Sequence, residues 1–212
     1  MSKINNIIFD LGGVILNLDY SRTIKEFNKL GLFNFESLYS QKKQSGIFDD
    51  FEKGEISIEK FIYSINNTTK LNIKKTDFRY AWNAMLLDLP KERLEFIKKL
   101  KKDFKVYLLS NTNEIHIEKF EANLKKNNFL EEFQSCFDQI YYSSKIGLRK
   151  PDKDCFNKVL KDHNLIAHET LFIDDSLQHI EGAKKVGIKA ILLKKEITIL
   201  QLVPGIIQLK HH

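Results

Sequence analysis

Four short stretches hold residue types that can do chemistry together. Asp10 ends the apolar run Ile7-Ile8-Phe9, and two glycines follow it. Ser110-Asn111-Thr112-Asn113 ends the apolar run 104–109, Lys150 precedes Pro151, and the pair Asp174-Asp175 ends the run 170–173. An ionised carboxylate is expensive to keep dry. Three that converge repel one another unless one is protonated or a cation sits among them. An all-oxygen donor set without His or Cys suits Mg²⁺, and the Gly12 carbonyl offers one more oxygen. Mg²⁺, the Lys150 ammonium and the Ser110 hydroxyl would cradle a phosphoryl group and neutralise the charge that develops as it transfers. Asp10 is then free to attack phosphorus with one oxygen while the other holds the metal, and water hydrolyses the aspartyl phosphate formed. Alone, Asp10 reads equally well as the cap of a turn. The chemistry depends on the convergence.

That convergence requires a particular architecture. Ile7, Ile8 and Phe9 are β-branched or aromatic in a short run, the pattern of a strand buried on both faces. Runs 104–109, 138–142, 170–173 and 189–193 repeat the pattern. Amphipathic helical runs at 91–102, 115–127, 152–162 and 180–186 separate them, the last stopped by Gly187. Strands alternating with helices predict an α/β fold, a doubly wound parallel sheet. Right-handed crossovers then bring the strand ends to one edge, where such sheets bind ligands. Proline suits the first turn of a helix, which predicts Lys150 at a helix start.

Residues 17–88 have a different texture. Apolar residues recur at helical spacing: Ile24, Phe27, Leu30; Phe48, Phe51; Ile58, Phe61, Ile62, Ile65; Phe78, Trp82, Met85. Ser57 is placed to cap the third group, and Gly46 and Gly54 to break between helices. The expected organisation is a core of residues 1–16 and 89–212 with a small helical-bundle cap, 17–88, inserted between its first two strands. Trp82 and the phenylalanines read as the core of that cap. Phe48, Glu52, Lys53 and Glu55 are expected to face the pocket, and Lys145 and Arg149 to be surface or packing charges.

Composition excludes other classes. The chain has 212 residues, 42% of them hydrophobic, enough for a core and a small second domain. No apolar run approaches the ~20 residues of a membrane span, and nothing near the N-terminus resembles a signal peptide. Cys136 and Cys155 lack C-x-x-C spacing, so a reduced, cytoplasmic setting is expected. The net charge of +6 comes mostly from lysines on helix faces, without the interleaved arginines and aromatics of a nucleic-acid surface. The expected partner is a small-molecule phosphate, with no nucleic acid and no membrane, and the protein a monomer or homodimer. His211 and His212 read as part of a purification tag.

Phe9-Asp10-Leu11-Gly12-Gly13-Val14, Leu109-Ser110-Asn111-Thr112, Arg149-Lys150-Pro151 and Ile173-Asp174-Asp175-Ser176 resemble, in order, the four motifs of the haloacid dehalogenase-like hydrolase superfamily. Within it the likeness is to sugar phosphatases of the α-D-glucose-1-phosphate phosphatase group. Shared stretches there include Leu18-Asp19-Tyr20, Gly54-Glu55-Ile56-Ser57, residues 147–151 and residues 179–183. The resemblance implies a Rossmann-like core with a helical cap, Mg²⁺ as cofactor and phosphatase activity. It makes Asp10 nucleophile and metal ligand, and Ser110 and Asn111 phosphate binders. Lys150 orients both groups, and Gly12, Asp174 and Asp175 complete the metal shell.

One departure matters. The superfamily's phosphatases carry Asp two residues after the nucleophile, as general acid and base, and here that position is Gly12. Losing such a group costs roughly 10²–10⁴-fold in rate. The loss is tolerable when the leaving group departs easily, as from sugar 1-phosphates and acyl phosphates. The glucose-1-phosphatase-like group also lacks this Asp. A phosphonoacetaldehyde hydrolase-like reaction is the alternative, with Lys53 or Lys60 offered as its Schiff-base lysine. A low-activity metal- and phosphate-binding protein is another.

Overall fold

The computed structural model describes residues 3–33, 35–39 and 46–202. Strands β1 (Asn6–Phe9), β2 (Lys105–Ser110), β3 (Gln139–Tyr142), β4 (Thr170–Asp174) and β5 (Lys189–Leu192) form one parallel sheet in the order β3-β2-β1-β4-β5. All four residues of β1 are buried, as expected of a central strand covered on both faces. Side chains alternate. Ile7 and Phe9 pack with Val106, Leu108, Leu171 and Ile173 on one face. Ile8 packs with Tyr107, Leu109 and Phe172 on the other.

Between β1 and β2 the chain leaves the sheet through α1 (Tyr20–Lys29), α2 (Phe35–Leu38), α3 (Ile47–Glu52), α4 (Ile58–Thr69) and α5 (Lys75–Asn83). Phe27, Phe35, Phe51, Phe61, Phe78 and Trp82 form the centre of a separate hydrophobic cluster here, with Phe51 and Phe61 stacked at 4.1 Å. Ser57 caps α4, its side chain accepting from Lys60 N at 3.2 Å, and Asp19 caps α1. Where the chain departs and returns, its two connections are zipped together. Asn17 N donates to Asp88 O, Leu87 N to Asn17 O and Asp19 N to Met85 O, at 3.0, 3.1 and 2.9 Å. Gly54 has φ +70°, and a Cβ there would overlap the Ser144 carbonyl. It is therefore a point where the insert's backbone meets the sheet domain, not merely a break between helices.

After the insert, α6 (Lys91–Leu100), α7 (Glu114–Lys126) and α8 (Leu130–Ser135) cover the first face of the sheet, with Leu94, Ile97, Phe120 and Phe133 buried. The short α9 (Ser143–Ile146) follows β3 directly. Helices α10 (Lys153–Asp162) and α11 (Leu177–Lys185) cover the second face through Cys155, Phe156, Val159 and Ile180. Periodicity did not reveal α2, α8 and α9, because four to six residues are too few to show a helical period. The helix expected over 152–162 spans Lys153–Asp162 with Asp152 at its N-cap, so Lys150 lies before it rather than at its start. Asn111 holds both the N–H and the carbonyl of Lys150, which keeps that residue out of a helical turn. Among the described residues, no helix is long and apolar enough to cross a membrane. His211 and His212 lie outside the described residues.

Candidate active site

Strand β1 runs into Asp10, β2 ends on Ser110 and β4 on Asp174, all pointing the same way, so the sheet delivers these side chains to one edge. Carboxylate oxygens of Asp10, Asp174 and Asp175 lie within 4.8 Å of one another. Lys150, fully buried, places Nζ 2.7 Å from Asp10 Oδ1 and 2.7 Å from Asp174 Oδ2. Asn111 positions this lysine. Its Nδ2 donates to Lys150 O at 2.8 Å and its Oδ1 accepts from Lys150 N at 2.9 Å. The Asn111 carboxamide, expected to bind phosphate, thus ties the end of β2 to the lysine loop. Ser110 is buried and lines the cavity above the cluster. Asp175 rests against Gly13, whose φ of +74° and missing Cβ leave the room that the carboxylate fills.

The charges do not balance within the protein. Burial raises Asp10, and the neighbouring Asp174 and Asp175 push it further, against the pull of Lys150. Burial would also raise Asp174. The Lys150 ammonium and hydrogen bonds from His179 and Lys150 outweigh it and hold Asp174 well below the usual carboxylate range. Lys150 is raised in turn, because burial disfavours its charge less than the two aspartates favour it. Burial, then Asp174, push Asp175 up to about 6. Three carboxylates therefore face one ammonium, and Asp175 Oδ1 is buried without a hydrogen-bond partner. A hard divalent cation fits this set. It answers the excess negative charge and gives the orphaned oxygen a partner, and the donors are all oxygens.

Several contributors were not legible beforehand. His179, in the first turn of α11, sets Nδ1 3.0 Å from both oxygens of Asp174. A histidine just beyond the Asp-Asp pair was the available signal. Tyr20 lines the cavity, and burial followed by Asp175 and Asp10 raises its phenol well above the ordinary tyrosine range, so it remains a donor. Arg149, expected as a surface or packing charge, is a partly buried link between the two layers. Its guanidinium lies 2.6 Å from Asp49 and 3.1 Å from Glu52, both on α3, and it lines the cavity with Glu52. Lys145 is exposed and pairs with Glu114. Of the four insert residues expected to face the pocket, Glu52 does. Phe48 lies in the insert's own core, and neither Lys53 nor Glu55 lines the cavity. Tyr39, Met85 and Leu86 line it instead.

His116 on α7 also lines this cavity. Its ring stacks on Trp82 (5.4 Å, 10°), and its Nδ1 lies 2.9 Å from Asn83 Oδ1. Burial lowers its pKa from 6.5 to about 3. The folded state thus binds fewer protons than the unfolded one between those values. The stability this confers is complete above pH 6.5 and is lost as pH falls toward 3. Unfolding free energies from urea titration should show wild type losing ground to His116→Gln on acidification, by up to about 1.4 kcal/mol per pH unit. A difference that stays flat from pH 7 to 4 would contradict a neutral buried ring.

Comparison with known proteins agrees with this geometry. The family model for haloacid dehalogenase-like hydrolases matches residues 4–187. A D-ribitol-5-phosphate phosphatase of Bacteroides thetaiotaomicron is 30% identical over 184 residues, 87% of this chain and 89% of that one. A HAD family enzyme of the same organism, solved with magnesium and inorganic phosphate, superposes with a TM-score of 0.87 at 33% identity, covering 94% of this chain and 98% of that one. A predicted HAD-like hydrolase of Porphyromonas gingivalis superposes with a TM-score of 0.86 at 27% identity, covering 100% of both chains.

Proposed function

The chain belongs to the haloacid dehalogenase-like hydrolases, and on that premise we propose that it hydrolyses a small phosphorylated sugar or polyol through an aspartyl phosphate on Asp10. The protein is a Mg²⁺-dependent phosphatase of this family. The attacking group and the substrate class are the proposal. The observation that carries it is the clamp on Asp10. Lys150 holds one oxygen at 2.7 Å, in a cluster that needs a cation, at the edge of a cavity large enough to be walled by both layers.

In this reading Asp10, Asp174, Asp175 and the Gly12 carbonyl hold Mg²⁺. When bound, the ion supplies positive charge to the phosphoryl oxygens and to the transition state. Lys150 fixes the attacking carboxylate and, with Ser110, binds the phosphoryl group. Asn111 keeps Lys150 in place. Residues 17–88 act as a cap on a core of 1–16 and 89–212, with the zipper of 17–19 against 85–88 as the joint and Arg149 as the tie that closes it. The polyol phosphatase relative supports the substrate class. A phosphonate-cleaving reaction lacks support, since neither Lys53 nor Lys60 lines the cavity.

Gly12 favours a second reading within the same chemistry, a substrate with a good leaving group such as a sugar 1-phosphate or an acyl phosphate. No side chain there donates a proton, and Leu18 fills the space, its Cδ1 2.6 Å from where a Cβ would sit. The test is kcat over a series running from ribitol 5-phosphate through glucose 1-phosphate to p-nitrophenyl and acetyl phosphate. Turnover should vanish in excess EDTA. It should rise by about 10²-fold or more from alkyl to aryl and acyl leaving groups. Full activity in EDTA would refute the metal site. A flat series would mean that another group gives the proton, with Glu52 and Tyr20 the first to examine.

A further inference from the structure

His116, on the wall of the cavity, carries a polar atom that the phosphoryl chemistry does not use. His116 is 8% exposed, and its Nε2 is buried with no hydrogen-bond partner. Everything else about the ring is fixed. Trp82 covers one face, and Trp82 Nε1 donates to Asn113 Oδ1, which also accepts from His116 N at the start of α7. Asn83 presents its Oδ1 to Nδ1, so Nδ1 carries the proton and Nε2 is left with its lone pair. Burial keeps the ring unprotonated at neutral pH. An unpaired buried acceptor is unfavourable unless a ligand completes it.

We propose that His116 Nε2 is a specificity-determining acceptor that takes a hydrogen bond from an uncharged hydroxyl on the leaving group, distant from the phosphoester. The inference rests on the phosphatase reading above and narrows it to polyhydroxylated monophosphates. A neutral imidazole with Nδ1 already committed has no donor for a carboxylate or a second phosphate. A hydroxyl is the group that satisfies a bare lone pair, and a site built around such a bond discriminates against the analogue that lacks it.

The experiment compares kcat/KM for D-ribitol 5-phosphate and its single-deoxy analogues lacking the hydroxyl at C1, C2 or C3. These positions are far enough from the ester to leave the leaving group's acidity nearly unchanged. For the wild type, one deletion should cost about 10- to 100-fold. In His116→Phe, whose ring can still stack on Trp82, the penalty for that same deletion should shrink to within about threefold. The parent polyol phosphate should lose ground relative to p-nitrophenyl phosphate. If the Phe variant does not fold, His116→Met repeats the comparison without a strong acceptor. Equal rates on all the deoxy analogues with wild type, or a penalty that survives both substitutions, overturns the assignment. Turnover of p-nitrophenyl phosphate with none of ribitol 5-phosphate overturns it while leaving the phosphatase reading standing. With Mg²⁺ present, absence of turnover on every phosphate overturns both.

Discussion

Asp10→Asn should lower turnover by roughly 10⁴-fold or more, the scale seen when a covalent nucleophile is removed. The amide keeps the side chain's volume and its place at the end of β1, so circular dichroism and the unfolding transition should stay close to wild type. It removes the attacking oxygen and one charge from a crowded set of carboxylates. Rapid acid quenching with labelled substrate gives the direct measurement. Label should remain on the peptide carrying Asp10 in wild type and be absent from the variant. Because Gly12 supplies no base for water attack, the labelled intermediate should be readily captured. Near-native turnover by Asp10→Asn would mean that water, not Asp10, attacks phosphorus, and the role of the clamp would have to be rewritten.

Lys150→Met should have the largest effect on stability. The ammonium is fully buried between Asp10 and Asp174, 2.7 Å from each. Met retains much of the stem's volume but leaves three carboxylates with no counter-charge. Removing one member of a buried pair costs about 3–5 kcal/mol, which for a chain of this size lowers the melting temperature by roughly 6–20 °C. The deficit should be greatest without metal. Mg²⁺ binds the folded cluster and supplies the missing positive charge, so it should raise the variant's melting point more than the wild type's. Turnover should fall by about 10³-fold even in saturating Mg²⁺, because the attacking carboxylate and the phosphoryl group lose their shared donor. A metal-free variant as stable as wild type would show that the aspartates have another source of compensation.

Both variants follow from residues legible in the chain as written. Asp10, Ser110 and Asp174 each end an apolar run, and parallel strands joined by right-handed crossovers have few ways to avoid bringing those ends together. Charge type alone then demanded a cation. The helical insert was legible for a similar reason. The short continuous apolar runs of the strands give way to helical spacing from about Ser21 to Asp88, and its aromatic residues needed a core of their own.

Tertiary structure decided everything that joins the two layers. Arg149 read as a surface or packing charge, and its partner could not be named: it meets Asp49 across 100 positions of sequence. Asn111 read as a phosphate ligand and does line the cavity, but only the fold shows that its carboxamide also holds the backbone of Lys150, 39 residues away. Glu52 reached the cavity while its helix neighbour Phe48 turned inward. Tyr20, Tyr39 and Met85 entered the cavity, and of these helical spacing had marked only Met85, as part of the insert's apolar face. Gly12 could be seen to lack an acid, but not that Leu18 takes up the space. Periodicity reports which side of an element is apolar. It carries no information about which distant element that side will meet, because side-chain pairing between layers is set by packing shape and by the balance of buried charge, and both exist only once the chain has folded.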